Sequence, residues 1–135
     1  MRSSLLISIQ ALLFAACSQA SSTFNDSLLT GTWKGTFICQ IKPSACHDEI
    51  NVYHVTKGEK PGTYHIVANK IVNDKEEGMG ENNYIFNPAD HTLFCHDEKY
   101  KITLKFTVNG RSMNGTLEFK NKVYRIIKLE KTSQQ

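Results

Sequence analysis

The chain has 135 residues, 40% of them hydrophobic, with 16 Lys and Arg against 13 Asp and Glu for a net charge of +3. The length suits one domain with a real core. The charge is small and its lysines are dispersed, which excludes a nucleic-acid binder or a protein held on an anionic membrane by charge alone.

The first element is a leader. Met1-Arg2-Ser3-Ser4 precedes an apolar run, Leu5 to Ala16, and then Cys17. A basic start, a short apolar stretch and a small-residue end make an export signal. The run is shorter than the about 20 residues of a membrane span. Phe14-Ala15-Ala16-Cys17 resembles the lipobox of bacterial lipoproteins, with Phe14 where Leu is usual. That resemblance implies a signal over 1–16 and a lipid on Cys17, which then heads the mature chain. The alternative is ordinary cleavage after Ser18-Gln19-Ala20, a small-x-small site, which makes the signal 1–20. Either cut leaves about 115–119 residues. The expected location is an outer-membrane lipoprotein or a periplasmic or secreted protein, touching a membrane only through a lipid anchor. Residues 17–28 read as a flexible tether and 29–131 as the folded domain.

From residue 31 onward the pattern alternates with period two, and no segment has a helix period. Residues 31–41 put Gly31, Trp33, Gly35, Phe37, Cys39 and Ile41 on one face. Residues 99–108 put Tyr100, Ile102, Leu104, Phe106 and Val108 against Lys99, Lys101, Thr103, Lys105 and Thr107. These are strands with one buried and one wet face. Further strands are predicted at 49–57, 63–72, 76–80, 83–87, 92–95, 112–119 and 123–130. Turn residues punctuate them at Gly58 to Gly62, Asn73 to Lys75, Asn87 to Asp90 and Asn109-Gly110. Short antiparallel strands on short turns hide their edges by closing on themselves. The expected fold is all-β: a single antiparallel up-and-down β-barrel of about eight strands, wide enough for packed side chains or one small ligand.

Gly31-Thr32-Trp33 on the first strand and Tyr124-Arg125 on the last are similar to a pairing found in lipocalins and related calycins. There a Gly-x-Trp on strand one lies under an Arg or Lys from the final strand. The chain also resembles small bacterial secreted proteins of lipocalin-like type, through residues 31–46 and the closing Val123-Tyr124-Arg125-Ile126-Ile127. The resemblance implies a lipocalin-like barrel whose closed end is made by Trp33 and Arg125. Arg125 shares a face with Val123, Ile127 and Leu129, where an indole would give it a cation–π partner.

Besides Cys17, three cysteines remain, enough for one disulfide and one leftover thiol. Cys39–Cys46, a short excursion around Pro43, is the expected bridge, and Cys46–Cys95 is the alternative. Cys46-His47-Asp48-Glu49 recurs as Cys95-His96-Asp97-Glu98. Two Cys and two His could hold zinc if brought together, but the spacing fits no short metal motif, and no metal or other cofactor is expected. His54 and His65 fall on strands expected to pair and read as wall imidazoles. No Ser-His-Asp set, nucleophile elbow or phosphate loop is present, so the protein is not expected to be an enzyme. The expected function is a monomeric binding protein holding a small apolar or amphipathic ligand on an inner wall of Phe37, Tyr100, Ile102, Leu104, Phe106 and Phe119. The alternative is a filled barrel whose loops bind another envelope protein or inhibit a hydrolase.

Overall fold

A computed structural model describes residues 24–41 and 45–133. The export signal, Cys17, the Ser18-Gln19-Ala20 site and Pro43 lie outside the described residues. Eight strands follow one another: β1 (Gly31–Cys39), β2 (Glu49–Lys57), β3 (Thr63–Val72), β4 (Lys75–Asn87), β5 (Thr92–Asp97), β6 (Ile102–Asn109), β7 (Ser112–Phe119) and β8 (Lys122–Ser133). Each pairs antiparallel with the next, and β8 returns to β1 to close the barrel. The all-β up-and-down barrel read from alternation is thus the fold.

Tight turns make these connections possible. Asn73 and Asp74 both take positive φ, at 51° and 62°, between β3 and β4. Lys120 and Asn121 do the same, at 49° and 64°, between β7 and β8. Two consecutive left-handed residues match the twist of the strands they join. The segments 76–80 and 83–87, expected as two strands, form one. A bulge opposite Ala68/Asn69, flanked by Gly78 and Gly80, breaks the alternation there without ending the strand.

Two ladders are uneven. β1 and β8 pair over most of their length, whereas β4 and β5 meet only at Ile85–Phe94, Phe86–Leu93 and Asn87–Thr92. Above these pairs the two strands part, leaving a seam in the wall.

One end of the barrel is closed. Trp33 is fully buried there among Leu29, Val55, Leu93, Met113 and Leu129. Residues 24–28, expected within the tether, pack across this end instead. A single 3-10 turn, Asp26–Leu28, is capped by the Asn25 side chain. Phe24 sits 4.4 Å from Phe86. Asp26 accepts from the Tyr64 hydroxyl and pairs with Lys57 at 2.9 Å. These two contacts hold its carboxyl below the usual range.

The cation over the indole is Lys131, not Arg125. Register pairs Trp33 with Lys131 and Cys39 with Arg125. Arg125 is therefore six residues back along β8, roughly 20 Å away at the strand rise. Lys131 Nζ lies 5.5 Å from the Trp33 ring and donates to the Ser27 carbonyl at 2.5 Å. Trp33 Nε1 donates to the Leu29 carbonyl at 2.8 Å. Burial, helped by Arg111, lowers the Lys131 ammonium from its ordinary value. The resemblance gives the residue type, an Arg or Lys of the final strand, but the register sets which one reaches the indole. The Arg125-Ile127-Leu129 face runs one step further, to Lys131.

Candidate functional site

The other end of the barrel is open, and a cavity of about 430 Å³ enters it. Alternation along each strand brings its lining inward: Phe37 from β1, Tyr53 from β2, Ile66 and Ala68 from β3, Tyr84 from β4, Leu104 from β6 and Leu117 from β7. Glu49, Asp97 and Arg125 stand at the rim. Gly80, Asn82 and Asp97 belong to the stretches where β4 and β5 have parted, so the cavity reaches solvent along the seam as well as through the end.

Aromatic edges build the floor. Tyr53 packs edge-on to Phe37 at 5.6 Å and to Phe106 at 5.9 Å, while Tyr84 lies 6.1 Å from Phe106. The Tyr53 and Tyr84 side chains share this floor. Burial pushes both hydroxyls above the ordinary tyrosine range. Cys95, a free buried thiol, sits on the same inward face, and burial raises it too. A raised thiol is a poor nucleophile. Beside the cavity Asn51 is fully buried opposite Gly35; its amide nitrogen donates to the sulfur of Met79 at 3.6 Å, and its Oδ1 has no partner among the described residues. Met79, on the β4 bulge, itself lines the cavity.

Arg125 belongs to this rim. It donates to the carbonyls of His47 at 2.9 Å and Phe37 at 3.4 Å, and faces Glu49 at 3.7 Å. It thereby ties the segment after the Cys39–Cys46 disulfide to the barrel mouth. The backbone N–H of Cys39 donates to Asp48 at 2.9 Å and that of Gln40 to the Tyr124 carbonyl at 2.9 Å, which holds the same segment down. The disulfide fits an oxidising compartment outside the cytoplasm.

Of the inner-wall residues expected from sequence, Phe37, Tyr100, Ile102 and Leu104 line the cavity and Phe106 lies beneath it in the core. Tyr100 does so from the rim and not from a strand: β6 begins at Ile102, and Tyr100 lies in the preceding turn, 57% exposed, with its own N–H on Asp97. Its turn closes through Lys101 at φ 56°, which ends the alternation two residues early. Phe119 is not among the lining residues. It ends β7 opposite Ile102, is 37% exposed, and packs edge-on to Tyr124 at 6.2 Å, where β8 carries one extra residue.

The two Cys-His-Asp-Glu segments do not converge on an ion. Cys46 is bonded to Cys39, Cys95 faces the core, and His96 faces outward to Thr103 at 2.9 Å and Glu98 at 2.8 Å. The Cys46–Cys95 alternative is thereby excluded. His54 and His65 also face outward, each on a carboxylate of β4: Glu76 at 2.9 Å and Glu81 at 3.0 Å.

The closed eight-stranded antiparallel barrel fits a lipocalin-like architecture. No family model matches the chain, and no curated protein matches it.

Proposed function

We propose that the protein is an exported, non-enzymatic binding barrel that takes a small apolar or amphipathic ligand into its open-end cavity. In this reading it works outside the cytoplasm, either anchored through a lipid on Cys17 or free in the periplasm or medium. The observation that carries it is the cavity: about 430 Å³, lined mainly by Phe37, Tyr53, Ile66, Tyr84, Leu104 and Leu117 beneath a polar rim. Small-molecule sites have this size, apolar wall and sparse polar groups. The oxidised Cys39–Cys46 pair supports the compartment.

The test is native mass spectrometry of the protein purified from the cells that make it, followed by titration with an apolar fluorophore. A retained lipid-sized mass, or saturable uptake blocked by Leu104→Trp, is the expected result. A bare chain that takes up no fluorophore would defeat the reading. A second reading, an interaction module for another envelope protein, draws on Ile38, Ile50 and Ile126. These side chains are exposed on neighbouring strands of the outer wall near the mouth. Apolar side chains grouped on a wet face mark association surfaces, and Ile38→Lys/Ile126→Lys would abolish such an association while sparing fluorophore uptake.

A further inference from the structure

A buried acceptor stands idle beside the cavity. Asn51 is completely buried, and its Oδ1 accepts no hydrogen bond among the described residues. Alternation along β2 turns the side chain inward, between Glu49 and Tyr53, which both line the cavity. Its register partners do not serve it. Gly35 on β1 brings no side chain, and Lys70 on β3 pairs with Glu77 at 3.8 Å. The group that covers the amide is Met79, whose sulfur accepts from Asn51 Nδ2 at 3.6 Å and which lines the cavity itself. A thioether is a weak acceptor on a flexible side chain. Met79 is also loosely held. Ala68 pairs with Gly80 and Asn69 with Gly78, so Met79 is the extra residue of the β4 bulge and has no ladder partner on β3. It is 42% exposed, in the stretch where β4 and β5 have parted. A buried acceptor without a partner costs free energy that an incoming donor recovers. The surroundings select the kind of donor. Glu49, Glu81 and Asp97 line the cavity against one lining cation, Arg125, which is engaged with Glu49 and the His47 carbonyl. An ionised carboxylate would meet this negative wall and has no hydrogen to give. An ammonium would shed its water for a single amide oxygen, whereas a hydroxyl has far less hydration to lose.

Resting on the binding reading above, we propose that the cavity selects a neutral amphiphile carrying a hydroxyl, and that this hydroxyl donates to Asn51 Oδ1 once the Met79 side chain swings aside. The apolar body of the ligand then lies along Phe37, Leu104 and Leu117. Met79 acts as a cover for the polar spot. It occupies the amide until the ligand arrives, and it gives way without disturbing a residue pair of the β3–β4 ladder. A cavity built in this way favours an alcohol or phenol over an ether or a fatty acid of the same size.

Two probes test this: 2-naphthol, which carries a hydroxyl, and 2-methoxynaphthalene, in which a methyl group replaces the hydroxyl hydrogen. Both are titrated by their fluorescence into the wild type, Asn51→Leu and Met79→Ala. The quantity read is the ratio of naphthol to ether affinity in each protein, compared between proteins so that the probes' different hydration cancels. Asn51→Leu removes the acceptor and should lower that ratio about 5- to 10-fold, the worth of one buried hydrogen bond. Met79→Ala keeps the acceptor and should hold the ratio within about twofold of wild type or raise it. An unchanged ratio in Asn51→Leu, an equal loss in Met79→Ala, or a wild type that takes only the ether would overturn the proposal while leaving the binding reading intact. If neither probe binds the wild type, the binding reading falls and the proposal with it. A measurement on the wild type alone guards against an Asn51→Leu protein that does not fold. A crystal structure with 2-naphthol should place the hydroxyl within about 3 Å of Asn51 Oδ1, and a hydroxyl beyond hydrogen-bond reach of that atom would overturn the assignment.

Discussion

Replacing Gly35 by Ala measures how closely β1 and β8 approach. Gly35 pairs with Leu129 on β8 and with Asn51 on β2. A Cβ there would lie 1.8 Å from the Lys128 carbonyl oxygen and 2.8 Å from Leu129 Cα, both backbone atoms. Ordinary contacts between such atoms need about 3.5 Å, so β8 would have to retreat by more than about 1 Å. That stretches about two ladder hydrogen bonds beyond use, at about 1 kcal/mol each. Overpacking adds about 1–3 kcal/mol. The stiffer unfolded chain gives back about 0.4–1 kcal/mol. The net loss is about 2–4 kcal/mol, a fall in Tm of roughly 8–17 °C for a domain of this size. Urea unfolding followed by the emission of Trp33, the chain's single tryptophan and fully buried, reads it directly. Gly78→Ala is the control: its nearest neighbour would be Asn69 Oδ1 at 3.9 Å, and it should stay within about 0.5 kcal/mol of wild type. If Gly35→Ala falls within 1 kcal/mol (roughly the error of such a comparison) of Gly78→Ala, the close approach is wrong.

Three further predictions concern the two ends and the floor. Lys131→Ala should cost about 1–3 kcal/mol from the lost cation–π contact and the bond to Ser27, and should shift Trp33 emission, whereas Arg125→Ala should leave that emission unchanged; the opposite pattern would return Arg125 to the closed end. Cys46→Ser opens a loop with a sequence separation of 7 and should lower stability by about 2.5 kcal/mol in the chain-entropy model, read as a lower urea midpoint under non-reducing conditions. Burial raises the Tyr53 and Tyr84 hydroxyls, so above the ordinary tyrosine value of about 10 the unfolded chain releases protons that the folded one keeps. Their contribution is fully present below about pH 10 and is lost as pH rises toward the folded values; urea midpoints between about pH 9 and 11.5 should fall, and fall less in Tyr53→Phe/Tyr84→Phe.

Alternation alone carried the fold, because an inward face repeats every second residue and tolerates errors at strand ends. Gly31, Trp33, Phe37 and Cys39 on β1, and Ile102 to Val108 on β6, face inward as read. The errors fall where alternation is interrupted. Period two says nothing about where a bulge will be inserted, so the bulge opposite Ala68/Asn69 makes one β4 strand read as two, while Phe119, at the end of β7 opposite Ile102, stops short of the cavity lining. Tyr100 lines the cavity from a turn and not from β6, because Lys101 takes a left-handed conformation that a lysine does not advertise. The turn at Lys120-Asn121 was likewise hidden by its lysine, although Asn121 accepts the left-handed region better than most residues. The polar floor was hard to see for a different reason. Tyr53 and Tyr84 are separated by 31 positions and share the cavity only because β2, β3 and β4 lie side by side. Tyr53 belongs to a strand whose two faces are similarly mixed, and only the register against Trp33 tells which of them turns inward.

The two ends also divide the labour of the barrel. At the closed end Trp33, Leu29, Met113 and Leu129 are completely buried, and the 24–28 segment seals them from water. A fully buried large side chain is worth several kcal/mol against truncation, so this layer supplies much of the stability in a domain with a margin of only about 5–15 kcal/mol. At the open end the packing relaxes. β4 and β5 share three pairs of residues, Ala68 and Gly80 are small, and the rim is held by Arg125 through carbonyls and not through apolar contact. Local opening follows the weakest ladder, and here that ladder borders the cavity. Substitutions around Trp33 should therefore act on the unfolding midpoint, and those around Tyr53, Tyr84 and the seam on ligand uptake, with little coupling because the layers share few partners. A double-mutant cycle between Leu129→Ala and Asn82→Ala, read in both urea midpoint and fluorophore affinity, should give an interaction energy within about 0.5 kcal/mol of zero. A larger value would mean that the barrel opens as one body and that the cavity cannot change without disturbing the closed end.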